Sequence, residues 1–184
     1  MADVESACQQ TFRVRDAIGR SWPERAVEPG YSDPMGTLHI GAAGELLVQY
    51  RLLKLGIDSG RLTTDAGVDL VAYSPKTGEA TTIQVKTVQK PTPAGGRGRL
   101  AIGWYFPHEL KADLLAVALL STDTVWLFTR AEAQALAQQH STHNIRRLYW
   151  YTDETAPPKS ETARRASEMT GYLLEARAKE FFPS

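Results

Sequence analysis

The stretch Gly67-Val-Asp69-Leu-Val-Ala-Tyr73, followed by Thr81-Thr-Ile-Gln84-Val-Lys86-Thr-Val88, decides the fold. Both segments have the composition of β-strands, and the Ser-Pro-Lys-Thr-Gly sequence between them is typical of a tight turn. They therefore predict two strands joined as a hairpin. Side chains two residues apart on a strand share a face, so we expect Gln84 and Lys86 on one side of the sheet, close to Asp69.

A helix is predicted before these strands. The run Gly41-Ala-Ala-Gly-Glu45-Leu-Leu-Val lies near its start, with Thr37 as the expected N-cap. Gly56 is suited to terminate the helix just after Leu55, because glycine readily adopts the left-handed conformation found there. The apolar side chains expected to face the core are Leu46, Leu47, Tyr50 and Leu53.

Residues on these three elements have the chemistry of a magnesium site. Mg²⁺ prefers an octahedron of oxygen ligands at roughly 2.0–2.1 Å and retains several waters. Asp69 can supply an anionic oxygen, Gln84 an amide oxygen and Val85 a backbone carbonyl. Lys86 cannot bind a cation, but it can hold an attacking water and stabilise charge on a phosphate. Glu45 can reach a water held by the metal, or a second ion.

The order of helix Glu45, strand Asp69 and strand Gln84-Val-Lys86 resembles the PD-(D/E)XK nuclease superfamily, which includes restriction endonucleases and Holliday-junction resolvases. The likeness extends over roughly residues 38–130 and includes two further strands, 114–120 and 124–128. It implies an α/β fold of the restriction-endonuclease-like type, with a central mixed β-sheet of about five or six strands flanked by α-helices.

The resemblance also implies a function and its residues. It implies a metal-dependent endonuclease acting on DNA, with Mg²⁺ as cofactor and Mn²⁺ as an alternative ion. Asp69, Gln84 and Val85 would be metal ligands, Glu45 the helix acid that also reaches the metal, and Lys86 the catalytic lysine. The candidate catalytic residues are therefore Glu45, Asp69, Gln84 and Lys86. Val85 is a candidate ligand through its backbone only.

Two positions depart from the commoner family pattern. Val68 stands where proline is frequent, and Gln84 stands where glutamate is usual. The amide removes one negative charge from the metal site and should weaken Mg²⁺ binding, so we interpret the sequence as a Gln-x-Lys variant. Asp65 is a rival for the role of Asp69. We prefer Asp69 because a carboxylate inside an apolar strand is costly without a partner.

Composition limits the domain organisation. With 184 residues and 42% hydrophobic content, the chain can bury one core. We expect an N-terminal helix and connector over 1–37, a nuclease core over 38–152 and a helical extension over 153–184. The single cysteine and the absence of a secretory leader at the first residues suit a cytoplasmic protein. The longest apolar run, 114–120, is too short to cross a membrane.

Net charge is zero, so a DNA partner needs a local basic patch. Candidate contacts lie in the loop after the second strand and in a later aromatic segment, and they are Lys90, Arg97, Arg99, Arg146 and Arg147. The alternatives are a solvated hairpin for the loop and, for the segment 145–151, core aromatics with charges on the opposite face. Further predicted elements are strands over 57–63, 100–105 and 145–151, and helices over 3–19, 131–139 and 161–182.

Three questions stay open at this point. The last helix can dock on the sheet or form a homodimer contact. The fold can also serve as a catalytically weak or inactive module that binds nucleic acid or protein, with Gln84 marking the loss of catalysis. A nuclease acting on RNA is the third alternative.

Overall fold

Two β-sheets and three α-helices account for the described part of the chain, residues 35–64, 67–74, 76–94, 98–155 and 164–183 of a computed structural model. The chain from Met35 onward forms one compact unit. The predicted helix over 3–19, the connector up to residue 34, the rival acid Asp65 and the predicted DNA contact Arg97 lie outside the described residues.

The helices are α1 (Thr37–Lys54), α2 (Arg130–Leu136) and α3 (Leu174–Phe181), and none of them is long and apolar enough to cross a membrane. The strands are β1 (Asp58–Arg61), β2 (Leu70–Tyr73), β3 (Ala80–Val88), β4 (Thr92–Pro93), β5 (Leu100–Pro107), β6 (Leu114–Leu119), β7 (Thr124–Thr129), β8 (Gln139–His140) and β9 (Ile145–Tyr151).

The central sheet has five strands in the order β1-β2-β3-β6-β7. β3 and β6 are parallel, with Val85 opposite Ala116, and every other neighbouring pair is antiparallel. All six residues of β6 are buried because the sheet is covered on both faces. Strands buried on two faces have continuous apolar sequences, as β6 does. The predicted central mixed sheet flanked by helices is confirmed.

A second, four-stranded antiparallel sheet covers one face of the central sheet, in the order β4-β5-β9-β8. The sequence predicted two of its strands but did not predict a separate sheet. Three buried tryptophans, Trp104, Trp126 and Trp150, join the two sheets, with ring centroids 4.8–5.9 Å apart. Such aromatic contacts add to the stability that burial of their large apolar area provides.

Of the four side chains predicted to bury helix α1, only Leu47 packs against the core, and the helix packs mainly through another face. Gly44, Val48 and Leu52 are buried, whereas Leu46, Tyr50 and Leu53 are about half exposed. The physical reason is a close approach of the helix to β3, since a Cβ added to Gly44 would overlap the Thr87 side chain. A glycine therefore forms part of the contact line, at the i, i+4, i+8 spacing of one helix face.

The termini of α1 also differ in part from expectation. The N-cap is Gly36, which has no side-chain cap, and Thr37 is the first helical residue rather than the cap. Gly56 follows the helix with a φ of 76°, as the sequence predicted. This left-handed conformation is inexpensive for glycine and strained for most other residues.

The C-terminal helix is shorter than predicted and docks on the central sheet. A 3-10 segment, Ala166–Tyr172, precedes α3, and the extended backbone at Leu173 separates the two. Leu174 and Ala178 are buried in the core beneath α1. These two side chains of α3 thus pack on the chain's own core, as the docking alternative predicts, and the homodimer stays a prediction.

Candidate active site

Asp69 lies immediately before β2, beside the part of β3 that extends past the first residue of β2. Gly67 turns the chain with a φ of 80°, and Asp69 sits one residue before β2 rather than inside it. Its backbone N–H donates to the carbonyl of Ile83 at 2.9 Å. Its carboxylate Oδ2 accepts the backbone N–H of Val85 at 2.6 Å. The carboxylate therefore takes the place of a backbone partner along this edge of β3.

The same contact fixes where the Val85 carbonyl points. In a strand, the N–H and C=O of one residue face the same edge. Since the Val85 N–H reaches the carboxylate of Asp69, the Val85 carbonyl also faces this edge. One anionic oxygen and one backbone oxygen are thereby brought to the same end of the sheet.

A cavity of about 620 Å³ opens at this edge, and we call it the site cavity. Four of the predicted site residues line it: Glu45 from α1, Asp69, and Val85 and Lys86 from β3. The side chains come from three elements that are separate in sequence. The cavity is wide enough for a phosphate group and its neighbouring atoms, because small-ligand sites typically occupy about 300–1,000 Å³.

Gln84 is the predicted ligand that does not line the site cavity. Its side chain is 4% exposed, and its Oε1 has no hydrogen-bond partner among the described residues. The Nε2 atom lies 3.7 Å from the position that a Cβ on Gly67 would take, so the amide packs against the turn before Asp69. Buried polar atoms are nearly always bonded, and an unmatched oxygen here has the chemistry of a free ligand position.

Arg61 is a site residue that the sequence pattern does not reveal. Its Nε and Nη2 donate to Glu45 Oε2 at 2.8 and 2.6 Å, and both residues line the site cavity. The pair is partly exposed, with 39% of the arginine side chain and 22% of the glutamate side chain accessible. A short strand of mostly exposed residues gives no periodic signal, so only the pairing of β1 with β2 brings Arg61 here.

The candidate metal ligands are all oxygen atoms. The described residues contain no cluster of three or more His, Cys, Asp or Glu side chains suited to a metal ion. The donors available are instead the carboxylates of Asp69 and Glu45, the Gln84 amide and the Val85 carbonyl. Such a set suits a hard cation such as Mg²⁺ or Mn²⁺ and does not suit zinc.

The predicted DNA contacts fall into two groups. Arg99 donates to Asp153 and Thr155 at 2.8 and 3.0 Å, and Arg146 donates to His108 Nδ1 and the Gln134 carbonyl at 2.9 and 2.8 Å. Both guanidinium groups are therefore engaged within the chain. These contacts compete with phosphate for the same donors.

Lys90 and Arg147 line a second cavity beside the site cavity, and Arg147 also donates to Gln139 Oε1 at 3.3 Å. Neighbouring residues on a strand point to opposite faces, so Arg147 faces away from Arg146. Trp150 is fully buried in the core, which matches the core alternative for that aromatic residue. Which of the two arginines faces this cavity depends on how β9 pairs with β5, so the local sequence pattern does not distinguish them.

The comparisons with known proteins agree on the fold family. A family model described as restriction endonuclease matches residues 56–152, more than half of the 184-residue chain, including Asp69, Gln84 and Lys86 but not Glu45. The solved structure of a bacterial homing endonuclease, I-Ssp6803I, is similar over 81% of this chain and 99% of its own, with a TM-score of 0.51 and 12% identity. At that identity the likeness concerns the fold alone.

No curated protein matches the chain. The resemblance to restriction-endonuclease-like nucleases is nevertheless confirmed by the family match, and the fold likeness agrees with it. The assignment to a Gln-x-Lys variant stays a prediction. The chain belongs to the restriction endonuclease family.

Proposed function

We propose that this protein is a Mg²⁺-dependent endonuclease that hydrolyses phosphodiester bonds of DNA. The observation that carries the proposal is the convergence of Glu45, Asp69, Val85 and Lys86 on one cavity. Family membership supports nuclease activity in general. The choice of DNA as substrate and of Mg²⁺ as cofactor belongs to the proposal.

Asp69 and the Val85 carbonyl would hold the ion at the site cavity, and Gln84, which does not line this cavity, would turn its amide oxygen toward the ion. The unmatched Gln84 Oε1 and the carbonyl edge shared with Asp69 support this assignment. When bound, Mg²⁺, or Mn²⁺ in its place, supplies polarisation of the phosphate and activation of water. With an amide in place of a carboxylate, the ligand set has one negative charge fewer, so we expect weak affinity for the ion in the absence of DNA.

Lys86 would act on the reacting phosphate. In hydrolysis, a water oxygen forms a bond to phosphorus while the bond from phosphorus to the leaving sugar oxygen breaks. Lys86 lines the cavity, and its ammonium group can donate a hydrogen bond to the oxygen of that water and so orient it. The same charge can stabilise the negative charge that develops on the phosphate oxygens.

Three further expectations form part of the proposal. Lys90 and Arg147 are the described cations best placed to contact the DNA backbone, because they line the neighbouring cavity. Arg99 and Arg146 would first have to exchange their contacts within the chain, and Arg147 would have to release its longer, 3.3 Å contact with Gln139. A cytoplasmic location and a homodimer rest on sequence reasoning alone.

The proposal is tested with supercoiled plasmid, labelled DNA structures and labelled RNA, each incubated with Mg²⁺, Mn²⁺ or EDTA. We expect cutting of DNA that requires a divalent ion and is lost in Asp69→Ala. Calorimetry with Mn²⁺ should show weaker binding in Asp69→Ala and tighter binding in Gln84→Glu. The conservative change Gln84→Glu tests the amide, because it restores the family's usual charge.

The outcomes separate the alternatives. Unchanged ion affinity in both variants would mean that the ion does not bind there. Binding of DNA without any cutting that depends on Asp69 would favour the inactive binding module. Faster cutting of RNA than of DNA would favour the RNA alternative.

A further inference from the structure

A second cavity of about 410 Å³ lies between the start of α1, the end of β3 and the second sheet, and we call it the side cavity. Its walls combine apolar residues, such as Ile40 and Ile102, with polar residues, such as Thr92 and Gln89. Lys90 and Arg147 supply two cations, and no acidic residue is among its described lining residues. An apolar base and an anionic phosphate would both find matching surface here.

The side cavity adjoins the site cavity. Gly41 and Thr87 line both, and they come from α1 and β3 respectively. A Cβ added to Gly41 would meet no atom within 4 Å, so the helix leaves open space beside this shared residue. A strand whose phosphate reaches Lys86 can therefore extend directly into the side cavity.

A cationic and aromatic surface borders the side cavity on the outer face of the second sheet. The Arg147 guanidinium lies 5.1 Å from the ring centroids of both Tyr105 and Tyr149. Gly103 makes room for both β9 side chains, because a Cβ there would lie 2.8 Å from Tyr149 Cβ and 3.3 Å from Arg147 Nε. The Tyr105 side chain is 59% exposed, so a ring face on this outer surface is accessible to a ligand.

We propose that the side cavity and the Tyr105–Arg147–Tyr149 surface bind an unpaired segment of DNA next to the scissile phosphate. Proteins that bind single strands combine a basic groove with aromatic side chains on which bases stack. In paired DNA the bases are stacked on one another and cannot enter such a cavity without being flipped out. The substrate class is therefore DNA with a single-stranded region, such as a bubble or a flap. This inference rests on the proposed nuclease function.

The first test measures binding without cutting. A short labelled DNA strand, its duplex and an RNA strand of the same sequence are titrated with the full chain in EDTA, and fluorescence anisotropy is recorded. We expect the single DNA strand to bind about tenfold tighter than the duplex. Tyr105→Ala and Arg147→Gln should each weaken binding of the single strand about tenfold and so remove most of the preference.

Matched controls distinguish a specific role of Tyr105 and Arg147 in binding the single strand from the general loss of a charge or a ring. Lys179→Gln removes one charge from an exposed position on α3, and Tyr73→Leu removes a half-exposed ring on β2. Both should keep the preference for the single strand. Thermal unfolding of each variant confirms that the fold is intact, and Tyr105→Leu serves as a milder second variant if Tyr105→Ala is unstable.

The second test measures cutting in Mg²⁺ on a duplex with a central bubble and on the fully paired duplex. The inference is supported if the bubble substrate is cut at least about tenfold faster than the paired duplex. The ratio of these two rates should fall towards one in Arg147→Gln. Equal cutting of both substrates, dependent on Asp69, overturns the inference and leaves the nuclease proposal standing. Preferential binding of single strands without cutting supports this surface and overturns the nuclease proposal. Tighter binding of the RNA strand than of the DNA strand overturns the choice of DNA.

Discussion

Lys86 gives the sharpest test of the proposed chemistry. A partly exposed strand lysine contributes little stability, so Lys86→Ala should fold normally. If its ammonium stabilises the reacting phosphate, we expect cleavage to fall by about 10²–10³-fold. Binding of DNA should persist, because other cations contact the phosphates.

The matched control is Lys76→Ala, which removes an exposed lysine from the turn between β2 and β3. Cleavage of labelled DNA and its binding by anisotropy are measured in parallel for both variants. Wild-type cleavage in Lys86→Ala would remove this residue from the mechanism.

Arg61 holds Glu45 in an ion pair, and this pair competes with any divalent ion for the carboxylate. Replacing Arg61 with glutamine frees the Glu45 carboxylate and removes from the cavity a positive charge that would repel the ion. Exposed ion pairs contribute up to about 1 kcal/mol, so we expect Mn²⁺ affinity in Arg61→Gln to rise measurably, to at most about fivefold. Isothermal titration calorimetry measures the change.

Arg51 provides the comparison for that prediction. It pairs with Glu175 at 2.6 Å and does not line the site cavity. Arg51→Gln should leave Mn²⁺ affinity unchanged. An equal affinity in the wild type and in Arg61→Gln would show that Glu45 does not act on the ion.

Asp113 joins the starts of the parallel strands β3 and β6. The Thr82 hydroxyl donates to its carboxylate Oδ2 at 2.6 Å and the Thr82 N–H at 3.0 Å. These hydrogen bonds lower the pKa of Asp113, and the charge of Arg130 lowers it further. A carboxyl with a lowered pKa in the folded state stabilises the fold above its unfolded pKa of about 3.9.

This contribution is lost as pH falls from about 4 through the lower pKa of the folded state. We therefore expect Asp113→Asn to be less stable than the wild type at pH 7, and the difference to shrink with acidification. The side chain is 56% exposed, so the effect should stay below about 1 kcal/mol. Urea unfolding at a series of pH values measures it, and a constant difference down to pH 2 would contradict the assignment.

The whole domain should unfold as one unit, including its last helix. Leu174 of α3 is fully buried against the central sheet, while the three tryptophans lie in the other core layer. Truncating a buried leucine costs about 2–5 kcal/mol. We expect Leu174→Ala to lower the urea midpoints of tryptophan fluorescence and of far-UV circular dichroism equally, because the layers share the sheet between them.

Leu38→Ala is the control, since that side chain is 87% exposed and its loss should change stability by no more than about 0.5 kcal/mol. Two separate midpoints in Leu174→Ala would mean that the C-terminal segment is an independent extension. That result would match the boundary at 153 expected from the sequence.

The fold could be predicted from sequence where local patterns are strong. The apolar run of β6, the alternation in β3 and the glycine after α1 each depend on neighbours within a few residues. The observed strands β3, β6, β7 and β9 accordingly match the predicted ones closely. The order of Glu45, Asp69 and Gln84-Val-Lys86 was enough to predict the family that the sequence match confirmed.

The tertiary structure alone decided the features that depend on distant residues. Gly44 is buried because Thr87 lies against it, and hydrophobicity patterns give a glycine no weight as a contact residue. Arg61 reaches Glu45 only because β1 pairs with β2, and Arg147 faces the side cavity only because β9 pairs with β5. Spacing along the chain encodes the period of each element, whereas the face that each element buries is set by packing between elements.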